Sequence, residues 1–515
     1  MKNVYMLIND LDVGRGGITR VILDRASYFL EYGLSSNLVS LTFKKNLPSI
    51  YKSLIENGRL SKHVNTINMF DYYRDLNTLT SKITTTSDLD LEEPNSKIHD
   101  EEYENHHHAR YFTEDGEYFK YKKWDKSGIL QYISYFTHDK KEYRREEFHP
   151  SGYKMRSKLF TLDEKKIKFE TYFTLDGFAY LTFDYDLTTG YPGLIFLFNR
   201  KNNKAKFFNG NALNQFQKFF LEEIMSFGLQ KPVIINDSIE LTNMFVSLDN
   251  KKVTKISTTH SNHLTAPYTY GAEVKGNFKN LFSHYKKLDA IVLLTDSQYY
   301  DVKKDFADID NLYVVPNALS KIDAPHIKKS ANLINVIGRF DYQKNLIDLL
   351  KAFKIVLEKH PNCKLRLFGK GPEEESLNNF IIQEKMKGNV ELYGYTNEVN
   401  LRLKESLFTV MTSIFEGSPM VLRESMSLST PVVSYNLNYG PRDIIENNVD
   451  GYIVNAGDVN ELAEKMNYWL ENPDTAIRMG TKAAENVYNK FSEKKIFNEW
   501  IKLIDNLSSV SRGPE

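Results

Sequence analysis

Cysteine is nearly absent from this 515-residue chain, with Cys363 the single example. One thiol excludes an internal disulfide framework and fits a reducing compartment. Cys363 stands before the apolar run Leu365–Phe368 and reads as a packing residue. Metal-ligand spacing is missing too. His106, His107 and His108 are adjacent, so they cannot all face one ion from a strand, and no Cys or second His cluster stands at ligand spacing. There is no excess of either charge: Lys plus Arg and Asp plus Glu each number 67. That balance excludes a global nucleic-acid footprint and leaves at most a peripheral association with membranes. No stretch approaches the roughly 18–20 apolar residues of a membrane span. The opening run Val4–Ile8 meets Asn9-Asp10 too soon for a signal peptide. A cytoplasmic location is expected.

The length suggests about two to four domains. Val4–Ile8 is a short continuous apolar run, suited to a parallel strand covered on both faces. Gly14, Gly16 and Gly17 follow, and Ile18, Val21, Ile22, Ala26, Phe29 and Leu30 then recur at helical spacing. Strand, glycine loop and helix make the first unit of a Rossmann-like domain. Gly16 and Gly17 permit close backbone approach to a diphosphate or sugar at the helix start. The spelling is not G-x-G-x-x-G and no acidic residue is placed for a ribose, which argues against a dinucleotide. A second unit begins at Asn37–Phe43. Alternation fades after about residue 75, and Ser81–Ser96 reads as an exposed polar connection.

From Tyr103 to Phe198 about a quarter of the residues are aromatic, against 13% for the chain. Aromatics recur at Phe112, Trp124, Phe136, Phe148, Phe160 and Phe173, a spacing of twelve and then thirteen residues. Turn chemistry follows several of them, as in Thr113-Glu114-Asp115-Gly116 and Asp125-Lys126-Ser127-Gly128. A strand-plus-turn period of this length predicts an antiparallel meander. Its edges and apolar face need cover, which favours an oligomerisation or acceptor-docking module over a decorative insertion.

Alternating strands and helices resume at Asn211. Pro232–Asp237 and Lys255–His263 are strands with polar ends, and active residues of open α/β sheets sit at such ends. His260 and His263 are therefore candidates to hydrogen-bond a sugar hydroxyl, each competing with an ordinary structural role. Further strands at Ala290–Thr295 and Leu312–Asn317 complete this half. The second half repeats the alternation, with strand exits at Gly338-Arg339, Gly369-Lys370-Gly371-Pro372 and Gly394-Tyr395. Arg339 and Lys344 flank a strand exit and a helix entrance, where both cations can meet a diphosphate.

The densest signal is Glu416-Gly417-Ser418-Pro419-Met420-Val421-Leu422-Arg423-Glu424, following the apolar strand Leu407–Met411. Ser418 reads as an N-cap and Pro419 suits the first helical turn. Glu416 then lies on the loop and Glu424 nearly two turns into the helix. The N–H groups of Met420 and Val421 face the same crevice, ready for an anion. Carboxylates for hydroxyls beside amides for phosphate describe a nucleotide-sugar site.

Gly338-Arg339 with Lys344, the Gly-x-Gly-Pro loop, Gly394-Tyr395 and the Glu416/Glu424 pair resemble the retaining family 4 glycosyltransferases of the GT-B fold. The whole chain, with its β insertion, resembles the wall teichoic acid poly(ribitol-phosphate) α-N-acetylglucosaminyltransferases and poly(glycerol-phosphate) α-glucosyltransferases. The resemblance implies an α/β fold of two Rossmann-like domains with an inserted β meander. The implied boundaries are 1–75 with 210–318, 76–209, and 319–507. It implies a UDP-sugar donor, a polyol-phosphate polymer acceptor and a homo-oligomer, a trimer, joined through the insertion. Arg339 and Lys344 are then expected to neutralise the diphosphate, Glu424 to bind ribose, Glu416 to contact the sugar and Tyr395 to lie near uracil. Gly16 and Gly17 approach the diphosphate from the other domain. No metal or other cofactor is expected, so Asp10-Leu11-Asp12 and Asp184-Tyr185-Asp186 are not read as ligand sites. The two Rossmann halves are expected to fold without the insertion. Transfer to protein Ser/Thr or a glycan is an alternative. A catalytically silent scaffold is another, disfavoured by the presence of Arg339, Lys344, Glu416 and Glu424 together.

Overall fold

The structure, a computed structural model, describes residues 2–9, 11–13, 17–83, 91–93, 96–103, 106–228, 230–320 and 327–509. The chain begins with β1 (Asn3–Ile8), β2 (Ser35–Ser40) and β3 (Asn65–Asn68). It then departs for ten strands: β4 (Lys97–Tyr103), β5 (His106–Phe112), β6 (Tyr118–Trp124), β7 (Leu130–Phe136), β8 (Glu142–Phe148), β9 (Lys154–Phe160), β10 (Ile167–Phe173), β11 (Ala179–Tyr185), β12 (Pro192–Asn199) and β13 (Lys204–Asn209). It returns with β14 (Val233–Asn236), β15 (Thr254–Thr258), β16 (Ala290–Leu293) and β17 (Leu312–Val314). The second half supplies β18 (Ser330–Ile337), β19 (Lys364–Phe368), β20 (Val390–Tyr393), β21 (Ser406–Met411), β22 (Val432–Tyr435) and β23 (Gly451–Val454).

The first sheet runs β3-β2-β1-β14-β15-β16-β17 and the last runs β20-β19-β18-β21-β22-β23, with parallel pairing in both. Each therefore reverses its strand order once, between β1 and β14 and between β18 and β21. Such a reversal splays the following loops apart and leaves a crevice at the strands' C-terminal ends. This is the GT-B arrangement. β1 shows why its run is continuously apolar: Val4, Met6 and Ile8 enter one core while Tyr5 and Leu7 enter the core on the opposite face.

The ten-stranded insertion is an antiparallel meander in strict sequence order. The aromatic repeat has a simple origin. Phe112, Trp124, Phe136, Phe148, Phe160 and Phe173 are the last residues of β5 to β10. Seven-residue strands alternate with short turns, and the pairing register slips beside most of these aromatics. The fourth turn residue is left-handed, with φ of 89° at Gly116 and 75° at Gly128, which is why glycine recurs there.

Three expectations need correction. The insertion does not stand apart from the first Rossmann half. Tyr172, Phe183, Ile195 and Phe208 share one core with Leu7, Phe70, Phe216 and Phe220. The other half of the meander has its own small core around Tyr111, Trp124, Ile133 and Phe148. The connection before it is not wholly exposed either: Leu91 packs on that small core, and Glu93 holds Lys120 and Lys122. Residues 84–90 and 94–95 of that connection lie outside the described residues. Finally, the terminal helix Glu493–Ser509 leaves the second half and packs on the first. Phe497 stacks on Tyr28 at 4.1 Å, and Ile496, Trp500 and Ile504 join the core of Val4 and Met6. An amphipathic helix settles on the largest apolar face within reach, whatever its place in sequence. Among the described residues no helix is long and apolar enough to cross a membrane.

Phe183 is 4% exposed and touches Phe70, Tyr172 and Phe216 across the shared core. Phe183→Ala is expected to cost about 3–5 kcal/mol. Urea unfolding followed by circular dichroism and by a fluorophore in the meander should show β10–β13 and the first Rossmann half shifting together. A separate, unshifted transition for the meander would contradict a common core.

Candidate active site

The two strand-order reversals face one another, and the loops that leave them build the crevice. From the first sheet come Gly17, the residue before the helix Ile18–Glu31, Asp237 after β14 and His260 after β15. Gly17 has φ of 57° and open space where a side chain would stand, so its backbone is approachable. Gly14 and Gly16 lie outside the described residues, as does Asp10 of the first D-x-D spelling. The second spelling serves a turn: Asp186 accepts the Thr188 N–H at 2.8 Å.

Gly338, Lys344, Thr412, Ser413 and Val421 line a narrow cleft at the second reversal. Lys344 Nζ donates to Glu416 Oε1 at 2.6 Å, a charge-assisted contact that leaves two of the three ammonium protons for other acceptors. Glu416 is held by its backbone: its N–H donates to Asn438 O at 3.0 Å, and its carbonyl accepts from Tyr439 N at 2.9 Å. Arg339 reaches outward, its side chain 69% exposed, and bonds Asp341 at 3.0 Å. Tyr395 is exposed as well. The Gly-x-Gly-Pro loop is demanded by packing, because a Cβ on Gly369 would lie 1.8 Å from the Gly338 carbonyl oxygen.

The helix after the cleft is Met420–Ser427, and here the capping expectation fails. Pro419, not Ser418, precedes the first turn, and no side chain caps it. The Ser418 hydroxyl is instead taken by the buried Arg423 guanidinium, which also donates to Asn317 O at 2.6 Å. A buried cation outcompetes the weaker cap for the same oxygen. The first-turn amides of Met420 and Val421 thus open the helix without a side-chain acceptor. Glu424 is thus about one turn into the helix, rather than nearly two.

The structure separates the two histidines. His260 Nε2 donates to Asp237 Oδ1 at 2.7 Å, which directs the other ring nitrogen away from that carboxylate. Burial alone would raise the Asp237 carboxyl, but Arg25, then His260 and Thr258, pull it down to about 2. An ionised Asp237 therefore orients the ring. His263, by contrast, is fully buried, stacked on Tyr439 at 5.8 Å and edged by Phe278 and Phe282. Burial lowers its pKa to about 4 and keeps it neutral. His263 is a packing residue at the domain junction and does not face the crevice. The ring two residues beyond the strand end is only 5% exposed and is held on Asp237, and the ring three further on packs among aromatics.

Asp237, Arg25 and Arg20 are site residues that sequence reasoning missed. The strand-end rule that singled out His260 applies equally to Asp237, which ends the run Val233–Asn236. Arg25 and Arg20 carried no such signal, because a helical arginine is usually solvated. Arg25 is buried against Asp237 and lies 4.8 Å from the Trp500 ring centre. Arg20 NH1 crosses to Glu424 Oε1 at 2.7 Å.

The domains meet closely here. A Cβ on Gly417 would stand 2.3 Å from the His260 carbonyl oxygen. Asn262 Nδ2 donates to Asn438 O at 3.0 Å, and Tyr268 packs on Phe415 at 4.1 Å. A lysine, helix-start amides and two largely buried carboxylates can hold a phosphorylated, hydroxyl-rich ligand and stabilise charge on its phosphate.

Residues 320–486 match the family described as glycosyl transferases group 1. The chain is 25% identical to the poly(ribitol-phosphate) alpha-N-acetylglucosaminyltransferase of Staphylococcus aureus, over 98% of this chain and 100% of that one. It is 27% identical to the poly(glycerol-phosphate) alpha-glucosyltransferase of Bacillus subtilis, over 46% of this chain and 36% of that one. A crystal structure of an S. aureus TarM mutant in complex with Fondaparinux, alpha-GlcNAc-glycerol and UDP matches with a TM-score of 0.87 at 25% identity, covering 98% of this chain and 100% of that chain. The chain is a glycosyltransferase of the GT-B fold, resembling the poly(ribitol-phosphate) enzyme from end to end and the poly(glycerol-phosphate) enzyme over part of its length.

Proposed function

We propose that the crevice moves a sugar, N-acetylglucosamine or glucose, from a UDP-sugar to the polyol-phosphate repeats of wall teichoic acid, with retention at the anomeric carbon. The observation that carries this reading is the Lys344–Glu416 ion pair at the second reversal, with the Arg20–Glu424 pair and the Gly417–His260 backbone contact joining the two halves. The end-to-end likeness to a poly(ribitol-phosphate) transferase supports the acceptor class. In this reading Lys344 and Arg339 meet the diphosphate, with the Met420 and Val421 amides and the open backbone of Gly17. Glu416 and His260 hold sugar hydroxyls, Asp237 orients His260, Glu424 takes the ribose and Tyr395 lies beside uracil. The bond from the anomeric carbon to the phosphate oxygen breaks while the acceptor oxygen bonds the same face. The acceptor's proton passes to the departing phosphate oxygen. The stabilising charges come from the protein, so no metal is required. The proposal places the enzyme in the cytoplasm, where the buried thiol of Cys363 stays reduced.

The test is a matrix of UDP-N-acetylglucosamine and UDP-glucose against poly(ribitol-phosphate) and poly(glycerol-phosphate), read by UDP release and by the anomeric coupling of the product. Absence of transfer in all four combinations would overturn the reading, and an inverted product would overturn retention. Lys344→Ala should lower kcat/KM by roughly 10²–10³, the scale of removing one preorganised electrostatic donor. Activity should persist in EDTA, and loss restored by Mg²⁺ or Mn²⁺ would refute metal independence.

Gly417→Ala tests the domain contact. The added methyl must displace the His260 backbone, so we expect transfer to fall by about 10²-fold, the cost of a roughly 1 Å misplacement. Thermal unfolding should change little, because the clash lies between domains. Unchanged kinetics would mean that catalysis does not need this approach.

We also propose that the meander joins copies of the chain, as a trimer, and docks polymer. Phe207 is 65% exposed and pairs across strands with Phe196 at the β12–β13 edge. Exposed aromatics on a sheet edge favour association. Phe207→Asp should yield a folded monomer by light scattering, with loss concentrated on long acceptors because avidity acts only on multi-site chains. A wild-type monomer would contradict the assembly, and equal losses on short and long acceptors would contradict the avidity.

A further inference from the structure

Arg20 stands in the first turn of the helix Ile18–Glu31, in the N-terminal half, yet its side chain ends in the other half. Its NH1 donates to Glu424 Oε1 at 2.7 Å, across 404 residues of sequence. The Glu424 side chain is only 10% exposed, and Arg20 is 35% exposed. Arg423, the neighbouring cation, is committed to Asn317 O, Ser418 and the ring of Phe491. Glu424 Oε2 has no hydrogen-bond partner among the described residues, although it is not sealed from the crevice. Arg20 is steadied from its own helix by Asp24, whose carboxylate lies 3.8 Å from its Nε. Burial raises the pKa of Glu424, and Arg20 opposes that rise.

We propose that Arg20 is a positioning residue for the nucleotide: it holds Glu424 charged and turned so that Oε2 receives the ribose hydroxyls, making the ribose pocket a product of both domains. This rests on the reading of Glu424 as the ribose contact. A carboxylate this buried is a good acceptor for two hydroxyls only while ionised, and a nearby cation keeps it so. Each carboxylate oxygen accepts more than one hydrogen bond, so Arg20 on Oε1 does not displace the ligand. Because the guanidinium comes from the N-terminal half, opening the crevice withdraws it. Ribose binding and domain closure are thereby linked, each favouring the other.

The test is calorimetric binding of UDP and of 2′,3′-dideoxy-UDP to the full-length wild type, Arg20→Ala, Arg20→Lys and Glu424→Gln. Circular dichroism establishes that each variant is folded. Arg20→Ala should weaken UDP about tenfold, the scale of one hydrogen bond to a charged group, and leave the dideoxy analogue unchanged. Arg20→Lys should recover part of the UDP affinity, since the charge survives. A merely structural role would weaken both nucleotides equally, and that result, or no change in either, would overturn the proposal. Glu424→Gln separates the two levels. If it also spares the dideoxy analogue while weakening UDP, the ribose reading stands. If it treats the two nucleotides alike, the ribose reading falls and the proposal falls with it.

Discussion

The two halves meet through two loops in backbone contact, Gly417 against the carbonyl of His260, and the geometry of the crevice follows from it. No side chain fits between them, so the glycine permits the approach rather than adding flexibility. Once the loops touch, Asn262 bonds Asn438, Tyr268 covers Phe415 and Arg20 reaches Glu424. These contacts bury most of the Glu416 and Glu424 carboxylates and strengthen the effect of the charges beside them. The same closeness explains why His263 is spent on packing. A neutral ring stacked on Tyr439 packs across the junction of the halves, whereas the ring on Asp237 keeps a polar partner.

The electrostatics are arranged in pairs that are nearly neutral before any ligand arrives. Lys344 is held by Glu416, Glu424 by Arg20, and Asp237 by Arg25 and His260. Buried charges are tolerable only when paired in this way, and removing one partner typically costs about 3–5 kcal/mol. Pairing also pre-sets geometry. A phosphate entering beside Lys344 finds an ammonium whose place is fixed, with donors still unused. Arg339 differs in exposure: its guanidinium pairs with Asp341 and Gln343 at the surface, where such pairs contribute little.

The inserted meander obeys a different constraint. A ten-stranded sheet has two faces and two edges to cover. Residues of β10–β13 join the first Rossmann core, which ties the insertion to that half rather than leaving it as an appendage. Near β12 and β13 the aromatic surface continues into solvent, as at Phe207. The insertion is therefore anchored through β10–β13, and Phe207 stays exposed on the edge strand of that same anchored end.

Much of the architecture was legible in local pattern. Continuous apolar runs such as Val4–Ile8 demand cover on both faces, and a twelve-residue aromatic period can only be strand plus turn. The Glu416–Glu424 spacing, with Gly338-Arg339 and Lys344, marked the cleft because strand ends and helix starts collect polar groups wherever they occur. What local pattern does not hold is direction and partnership across long separations. His260 and His263 look alike in sequence, and only the packed chain decides that one ring meets the Asp237 carboxylate and the other stacks on Tyr439. Ser418 looks like a cap until Arg423, folded back beneath it, takes its hydroxyl. Arg20 looks solvated until the second domain brings Glu424 to it, and the terminal helix looks like part of the domain it follows. Short-range periodicity is set by backbone geometry and so is written in the sequence itself. The partner of a buried charge is set by which surfaces meet, and that is decided only when the whole chain has packed.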